Sequence, residues 1–374
     1  MSASPTELAR SILAHCRELG FALAGVTRAA PSARLDELRQ WLAAGKHGSM
    51  EWLARDPEMR ADPARVLEGV RSIIMVADVY ALGPPDPDHT PAPAGRIARY
   101  ARGRDYHDVI KRRLHALSDA LRAHHPADSF RAFVDTAPVA EREHALRAGL
   151  GWIGKHTLLI NPTLGSWTLL GGVLTTLDLH PPPEQAAHAD HCGTCTRCID
   201  ACPTSAITPY SVDARACISY LTIEHRGHIP DDLHQPIGDN VFGCDICQDV
   251  CPHNRPRSFP LAPLNDYAPT RAALPLLDIL NWTDESRRAA LAGSAARRAN
   301  LQMWRRNALI AAGNALATAP DAALLERVRA AAVDPSETDL IRGTAQAVLA
   351  RLSEGPLSPS APPPSRRSDQ PQAS

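Results

Sequence analysis

The chain has 374 residues, 44% hydrophobic and 5% aromatic, with 40 basic and 41 acidic side chains and a net charge of −1. This suffices for two or three cores, and the near-zero charge excludes a global polyanion-binding surface, leaving only local basic clusters. The N-terminal Met-Ser-Ala-Ser-Pro-Thr-Glu lacks a basic region followed by an apolar stretch, and no apolar run approaches the ~20 residues that span a bilayer, so a cytoplasmic protein is expected.

In chain order, Leu8, Ile12 and Leu19 recur at helical spacing, and Cys16 on that helix reads as a small buried apolar residue. Ile73-Ile74-Met75-Val76 predicts a buried strand, and the Pro-rich stretch that follows predicts a loop. A helix is predicted from Tyr106 to Ala123 and a strand from Phe130 to Val134, ending at Asp135. Pro138 is expected to open a helix through Arg147 that Gly149 stops, and two short strands to flank Asn161 and Gly165. This alternation predicts an α/β domain over residues 1–186, bounded by Pro181-Pro182-Pro183.

The next stretch, 187–265, holds eight of the nine cysteines. Cys192, Cys195, Cys198 and Cys202-Pro203 match the ferredoxin run C-x2-C-x2-C-x3-C-P, in which the fourth cysteine serves the other cluster. Cys217 stands apart before Cys244, Cys247 and Cys251-Pro252. Two 4Fe–4S clusters are expected: Cys192, Cys195 and Cys198 closed by Cys251, and Cys217, Cys244 and Cys247 closed by Cys202. A zinc site explains neither Cys-Pro ending, and disulfides do not suit a chain without an export signal. Such a pair is a relay, with potentials that can reach roughly −700 mV, and implies a low-potential donor and a terminal acceptor.

Beyond residue 265 the pattern is helical: Trp304, Leu309 and Ile310, then Leu324, Leu325 and Val328, a break at Asp334-Pro335-Ser336, then Leu340, Ile341, Ala345, Val348 and Leu349. With Arg342 after the break, residues 266–352 resemble HEAT-type repeats too few to stand alone, so they are expected to pack on the cluster module. The Pro- and Ser-rich residues 353–374 are expected to be disordered.

No G-x-G-x-x-G follows a strand, which argues against a Rossmann-bound flavin or nicotinamide. Gly151 and Gly154, and Gly171-Gly172, suggest loops admitting a bulky planar group. Asp105-Tyr106-His107 begins like the cobalamin motif D-x-H-x-x-G, but Ile110 occupies the glycine position, so His107 reads as an ordinary helix histidine. Two basic clusters, Arg96 to Arg113 and Arg287 to Arg306, suggest local nucleic-acid contact.

The segments Val134-Asp135-Thr136-Ala137-Pro138-Val139-Ala140-Glu141-Arg142 and Ala148-Gly149-Leu150-Gly151-Trp152-Ile153-Gly154-Lys155 resemble the signature of the epoxyqueuosine reductases. So do Ile97-Ala98-Arg99-Tyr100, Gly103-Arg104-Asp105-Tyr106-His107, Cys217 to Glu224 and Gly243 to Pro252. Two small departures stand out: His156 occupies a position where Asn is usual, and Ala98 one where Ser is usual.

The resemblance implies a multidomain α+β/α/β chain with a nitroreductase-like cobalamin-binding domain, a ferredoxin-like dicluster domain and a helical C-terminal region. It implies reduction of the epoxide of epoxyqueuosine at the tRNA wobble position to an alkene, with release of water, using cobalamin without a histidine lower ligand. Asp135 would be the proton donor, which requires its pKa to rise from ~3.9 toward ~7, most simply by desolvation beside the corrin. The local alternative for Asp135 is capping the next helix. Arg60, Tyr106, Arg142, Gly154, Lys155, His156, Thr157, Ser219 and Tyr220 would bind or line the cobalamin site, and Arg297, Arg298, Arg305 and Arg306 would hold tRNA. A monomer is expected. The rival readings are a cobalamin-dependent reductive dehalogenase and a dicluster electron-transfer protein without chemistry of its own.

Overall fold

The computed structural model describes residues 4–81, 93–255 and 263–354. Most of the Pro-rich stretch after Ala81, and the tail from Gly355, lie outside the described residues.

Strand Ser72–Val79 is buried along its whole length because side chains alternate between two covered faces. Ile74 and Val76 pack with helices Pro5–Glu18 and Tyr106–His124 through Ile12, Ile110 and Leu114. Ile73, Met75 and Ala77 face Phe133, Ala145 and Ala148 on the other side. The sheet order is Leu23–Arg28, Ser72–Val79, Thr168–Thr175, Phe130–Phe133, with every pair antiparallel. Helix–strand alternation suggested α/β, but the antiparallel pairing makes this region α+β. Gly171 and Gly172 are packing glycines, not part of a cofactor loop. A Cβ at Gly171 would meet Ile110 at 2.8 Å, and one at Gly172 would meet the Phe133 ring at 2.6 Å.

A second sheet ties three sequence regions together. Ala94–Ile97 lies between Asn240–Phe242, parallel to it, and Ala273–Pro275, antiparallel to it. Behind it runs helix Leu301–Thr318, whose Trp304 stacks on Phe242 at 5.5 Å. Ala322–Val333 and Asp339–Ser353 pack against this helix through Leu324, Val328, Ile341, Ala345 and Val348. Polar side chains join this apolar packing in docking the helices onto residues 187–265. Asn307 Nδ2 donates to the carbonyls of Thr222 (3.0 Å) and Val241 (2.8 Å), and Asn314 Nδ2 donates to those of His234 and Gly238.

Candidate active site

Several of the eight cysteines lie close enough to shift one another's thiols. Burial, then the nearby Cys192, Cys198 and Cys195, push the Cys251 thiol up to about 11. Burial, then Cys217 and Cys202 among its neighbours, pushes Cys244 up to about 12. Cys247 is raised well above a free thiol by burial and by Cys244 and Cys217. Cys251 thus lies among the cysteines of the first motif and Cys244 near Cys217 and Cys202, while Cys247 also feels Cys198.

A mononuclear zinc site would bring its sulfurs to about 3.8 Å from one another, the edge of a tetrahedron with 2.3 Å bonds. Among the described residues, three donor atoms lie within 4.8 Å of one another only in His228, Asp231 and His234, and no cysteine takes part. Among the described residues no three of the sulfurs are therefore as close together as a single zinc ion would hold them. Backbone amides also point at sulfur: the N–H of Ala206 lies 3.3 Å from Cys202 Sγ, and those of Tyr220 and Ser219 lower the pKa of Cys217.

The second set walls a cavity of ≈360 Å³. Cys202, Cys217, Cys244 and Cys247 form one side; Leu158, Leu169, Leu170 and Ile246 supply apolar surface; and Tyr100, Arg142, His156, Thr157 and Ser219 supply polar groups. His156 is buried, and desolvation lowers its pKa to about 4, so its ring is neutral. Its Nδ1 accepts from the Leu158 N–H at 3.2 Å, which leaves the proton on Nε2, a buried donor without an acceptor. Arg142 Nη1 donates to the Thr157 carbonyl at 2.5 Å and so secures a turn in which Thr157 has φ +69°. Gly154 belongs to the same turn, where a Cβ would strike Ile160 Cδ1 at 2.4 Å.

Other expected cobalamin contacts have different partners. Lys155 Nζ donates to the carbonyls of Gly193 (2.6 Å) and Cys195 (3.0 Å), bracing the first thiolate loop. The Tyr220 hydroxyl is bound by the Ser49 amide at 2.6 Å, and Arg60 lies 5.5 Å from the exposed Trp52 ring.

Beside the cavity lies the acidic centre. Tyr100 lines the cavity and packs edge-on against Tyr106 at 6.1 Å, and the Tyr106 hydroxyl donates to Asp135 Oδ2 at 3.0 Å. Asp135 follows strand Phe130–Phe133 with φ +52°, a left-handed conformation that Asp tolerates better than most residues. Its N–H is held by Glu141 Oε1 at 2.6 Å. The following helix begins at Glu141, not Pro138, and its N-cap Ala140 makes no side-chain cap bond, so Asp135 does not cap it.

Two residues here escaped the sequence reading. His107 is not an ordinary helix histidine: Nδ1 lies 2.7 Å from Asp105 Oδ1 and Nε2 3.3 Å from Asp135 Oδ2. Burial opposes its charge, but the bonds to Asp105 and Asp135 push its pKa up to about 9. Glu141 goes up to about 8, first through burial and then through the charge of Asp135. The protein's own groups shift Asp135 the other way. The His107 hydrogen bond, outweighing desolvation and joined by Tyr106, lowers its pKa. Near neutral pH the shifts favour a proton on both the His107 imidazole and the Glu141 carboxyl.

The basic clusters are largely internal. Arg113 forms a buried pair with Asp78, Arg102 Nε donates to the Ile97 carbonyl, and Arg104 and Arg96 pair with Asp266 and Asp239. In the second cluster Arg306 is 0% exposed and donates to the carbonyls of Leu221, His225 and Gly227, so it clamps the cluster module and is no tRNA contact. Arg305 is held by the largely buried pair with Glu337, away from solvent. Arg297 is exposed, and Arg298 pairs with Glu224 at 2.8 Å while its charge reaches Asp135.

Comparison with known proteins agrees with this architecture. The family described as "Epoxyqueuosine reductase QueG, DUF1730" matches residues 60–136, and the "4Fe-4S double cluster binding domain" matches residues 191–254. The epoxyqueuosine reductase of Pseudomonas aeruginosa is 40% identical over 355 residues, covering 94% of this chain and 96% of its own. The crystal structure of an epoxyqueuosine reductase with a tRNA-Tyr epoxyqueuosine-modified stem loop superposes with a TM-score of 0.82 at 29% identity, covering 92% of this chain and 90% of that one. A Bacillus subtilis epoxyqueuosine reductase, solved with its catalytic aspartate loop swung out of the active site, gives a TM-score of 0.80 at 28% identity over 91% and 89% of the two chains. The chain belongs to the epoxyqueuosine reductase family.

Proposed function

We propose that this enzyme reduces epoxyqueuosine to queuosine at the wobble position of tRNA, converting the epoxide to an alkene and releasing water. One arrangement carries this reading: the second thiolate set walls the same cavity that Tyr100 lines, next to the carboxylate of Asp135. Electrons and a proton donor thus converge on one space.

Two 4Fe–4S clusters would be held by the two thiolate sets, and cobalamin, too large for the ≈360 Å³ cavity alone, would lie against its polar and apolar lining and supply reducing power to the epoxide. His156 presents a donor N–H and not a lone pair, and both His107 nitrogens are engaged by carboxylates, which suits a cobalamin with no histidine below the cobalt. Arg142, Thr157 and Ser219 would line it directly, while Gly154 shapes the turn and Lys155 and Tyr220 act at its supports. Asp135 would deliver protons to the departing oxygen, and Tyr106 orients its carboxylate. Burial raises the Tyr106 phenol far above its usual range, and the charge of Asp135 adds to this, so it stays protonated.

Arg297 and Arg298 would meet the tRNA backbone at the mouth of the site. Residues 1–186 would form the cobalamin-binding part, 187–265 the cluster part and 266–352 a HEAT-like support. A cytoplasmic monomer fed by a low-potential one-electron donor fits a tRNA substrate.

The test is nucleoside mass spectrometry of epoxyqueuosine-containing tRNA incubated with anaerobically reconstituted enzyme, cobalamin and a low-potential reductant. Loss of the epoxide mass with gain of the alkene is expected. Unchanged epoxide with full clusters and bound cobalamin would overturn the proposal.

A further inference from the structure

Reducing an epoxide to an alkene breaks both C–O bonds and consumes two electrons and two protons, the oxygen leaving as water. The electrons enter through the clusters from a low-potential one-electron reductant. Two protons must therefore reach one oxygen in each turnover, but Asp135 has one carboxyl group. Beside the charged His107 it is held as the carboxylate. Desolvation of Asp135 alone does not account for the supply.

The geometry offers a line along which protons can pass. Asp105 Oδ1 accepts from His107 Nδ1 at 2.7 Å, and His107 Nε2 lies 3.3 Å from Asp135 Oδ2. The same Asp105 oxygen takes the His107 backbone N–H at 3.1 Å, capping the helix that starts at Tyr106. The ring thus stands at the first turn of a long helix, stacked on Tyr106 with centroids 4.0 Å apart. Its side chain is 24% exposed, enough to exchange protons with solvent, while that of Asp135 is 60% exposed.

We propose that His107, oriented by Asp105, passes its Nε2 proton to Asp135 Oδ2 and is recharged from solvent, so that one carboxylate delivers both protons to the epoxide oxygen. This rests on the epoxide-reduction reading above. His107 acts through Asp135 and is a positioning residue; the group that meets the departing oxygen is Asp135. Charges that set the relay come from several elements. Asp105 and Asp135 favour the imidazolium, and Arg297 acts on Asp105. Arg298 favours the ionised form of Asp135. Glu141 and Arg60 feel the charge of Asp135 from the other side. With the imidazole pushed up to about 9, the donor form is present below that pH and is lost as pH rises through it.

The experiment is single-turnover epoxide reduction by pre-reduced, fully reconstituted enzyme across pH 6 to 10, in the wild type, His107→Gln, His107→Gly and Asp105→Asn. Asn keeps the helix cap while removing the carboxylate. Wild type should show an alkaline limb near 9; His107→Gln should fall by about 10- to 100-fold at neutral pH and lose that limb. Asp105→Asn should move the limb to lower pH, and imidazole buffer should restore His107→Gly in proportion to its imidazolium fraction. An unchanged alkaline limb in His107→Gln, or no imidazole response in His107→Gly despite wild-type iron content and tRNA affinity, overturns the relay. If wild type itself fails to convert the epoxide, it is the functional reading that falls.

Discussion

The walls around the eight cysteines and the pocket around Asp135 treat water and charge in opposite ways. Cys198 and Cys251 are buried, burial raises the Cys217, Cys244 and Cys247 thiols, and backbone amides point at sulfur. Asp135 is mostly exposed, sits on left-handed backbone and is ringed by Tyr106, His107 and Glu141. Electron transfer needs fixed ligands in a dry surround, because cluster potential follows burial and hydrogen bonds to sulfur. Proton transfer needs groups that titrate and exchange with solvent, so the second region must stay wet.

Breaking the dry region should have the largest effect. Cys202→Ser and Cys251→Ser each remove a ligand from the cluster that the neighbouring motif builds. Each variant should lose roughly half its iron and all measurable turnover, and the surviving low-temperature EPR signal should differ between the two. Identical residual signals would contradict the crossed assignment. In the wet region Asp135→Asn should lower the single-turnover rate by about 10²- to 10⁴-fold while leaving iron content and cobalamin binding as in wild type. If cofactor loss accompanies the lower rate, Asp135 holds the site together and the proton-donor role fails.

The two regions also differ in how readily the chain discloses them. The cluster assignment is written mostly in local spacing: Cys192, Cys195 and Cys198 share one short motif, Cys217 stands apart from Cys244 and Cys247, and the Cys-Pro endings point to an exchanged fourth ligand. The central strand and the helices from Tyr106 and Leu301 were equally plain, since hydrophobic period reports burial directly. Strand direction was not, because alternating elements fit parallel and antiparallel pairing alike. The acidic centre was half visible. Asp135 came from a family resemblance, but His107 and Asp135 are 28 residues apart and meet only through packing of helix on sheet. The one usable signal was Asp105 two residues before His107, a spacing that lets one carboxylate cap a helix and hold the ring. Arginine clusters misled for a related reason: spacing does not tell a solvent-facing guanidinium from one sealed over backbone carbonyls.

Arg306 and Arg298 carry that distinction into measurement. Arg306→Met should destabilise the folded protein by about 3–5 kcal/mol, since several carbonyls lose a charged donor in a buried place. Chemical denaturation of the cluster-loaded enzyme measures this, and a loss below 1 kcal/mol would show that the clamp is dispensable.

The smallest effect is expected at the exposed pair Arg297 and Arg298. Each phosphate contact contributes about 0.7 to 0.9 to the slope of log affinity against log salt, depending on how double-stranded the RNA is. Converting both arginines to Ala should therefore flatten the slope for an anticodon stem loop by up to about 1.8. Arg298 must first leave Glu224, but an exposed pair of this kind is worth only about 0–1 kcal/mol and gives little resistance. Arg306→Met, tested at a denaturant-free temperature well below its melting point, should leave the slope unchanged because its guanidinium faces carbonyls and not solvent. Equal flattening by both variants would mean that the clamp, and not surface charge, presents the helical region to RNA.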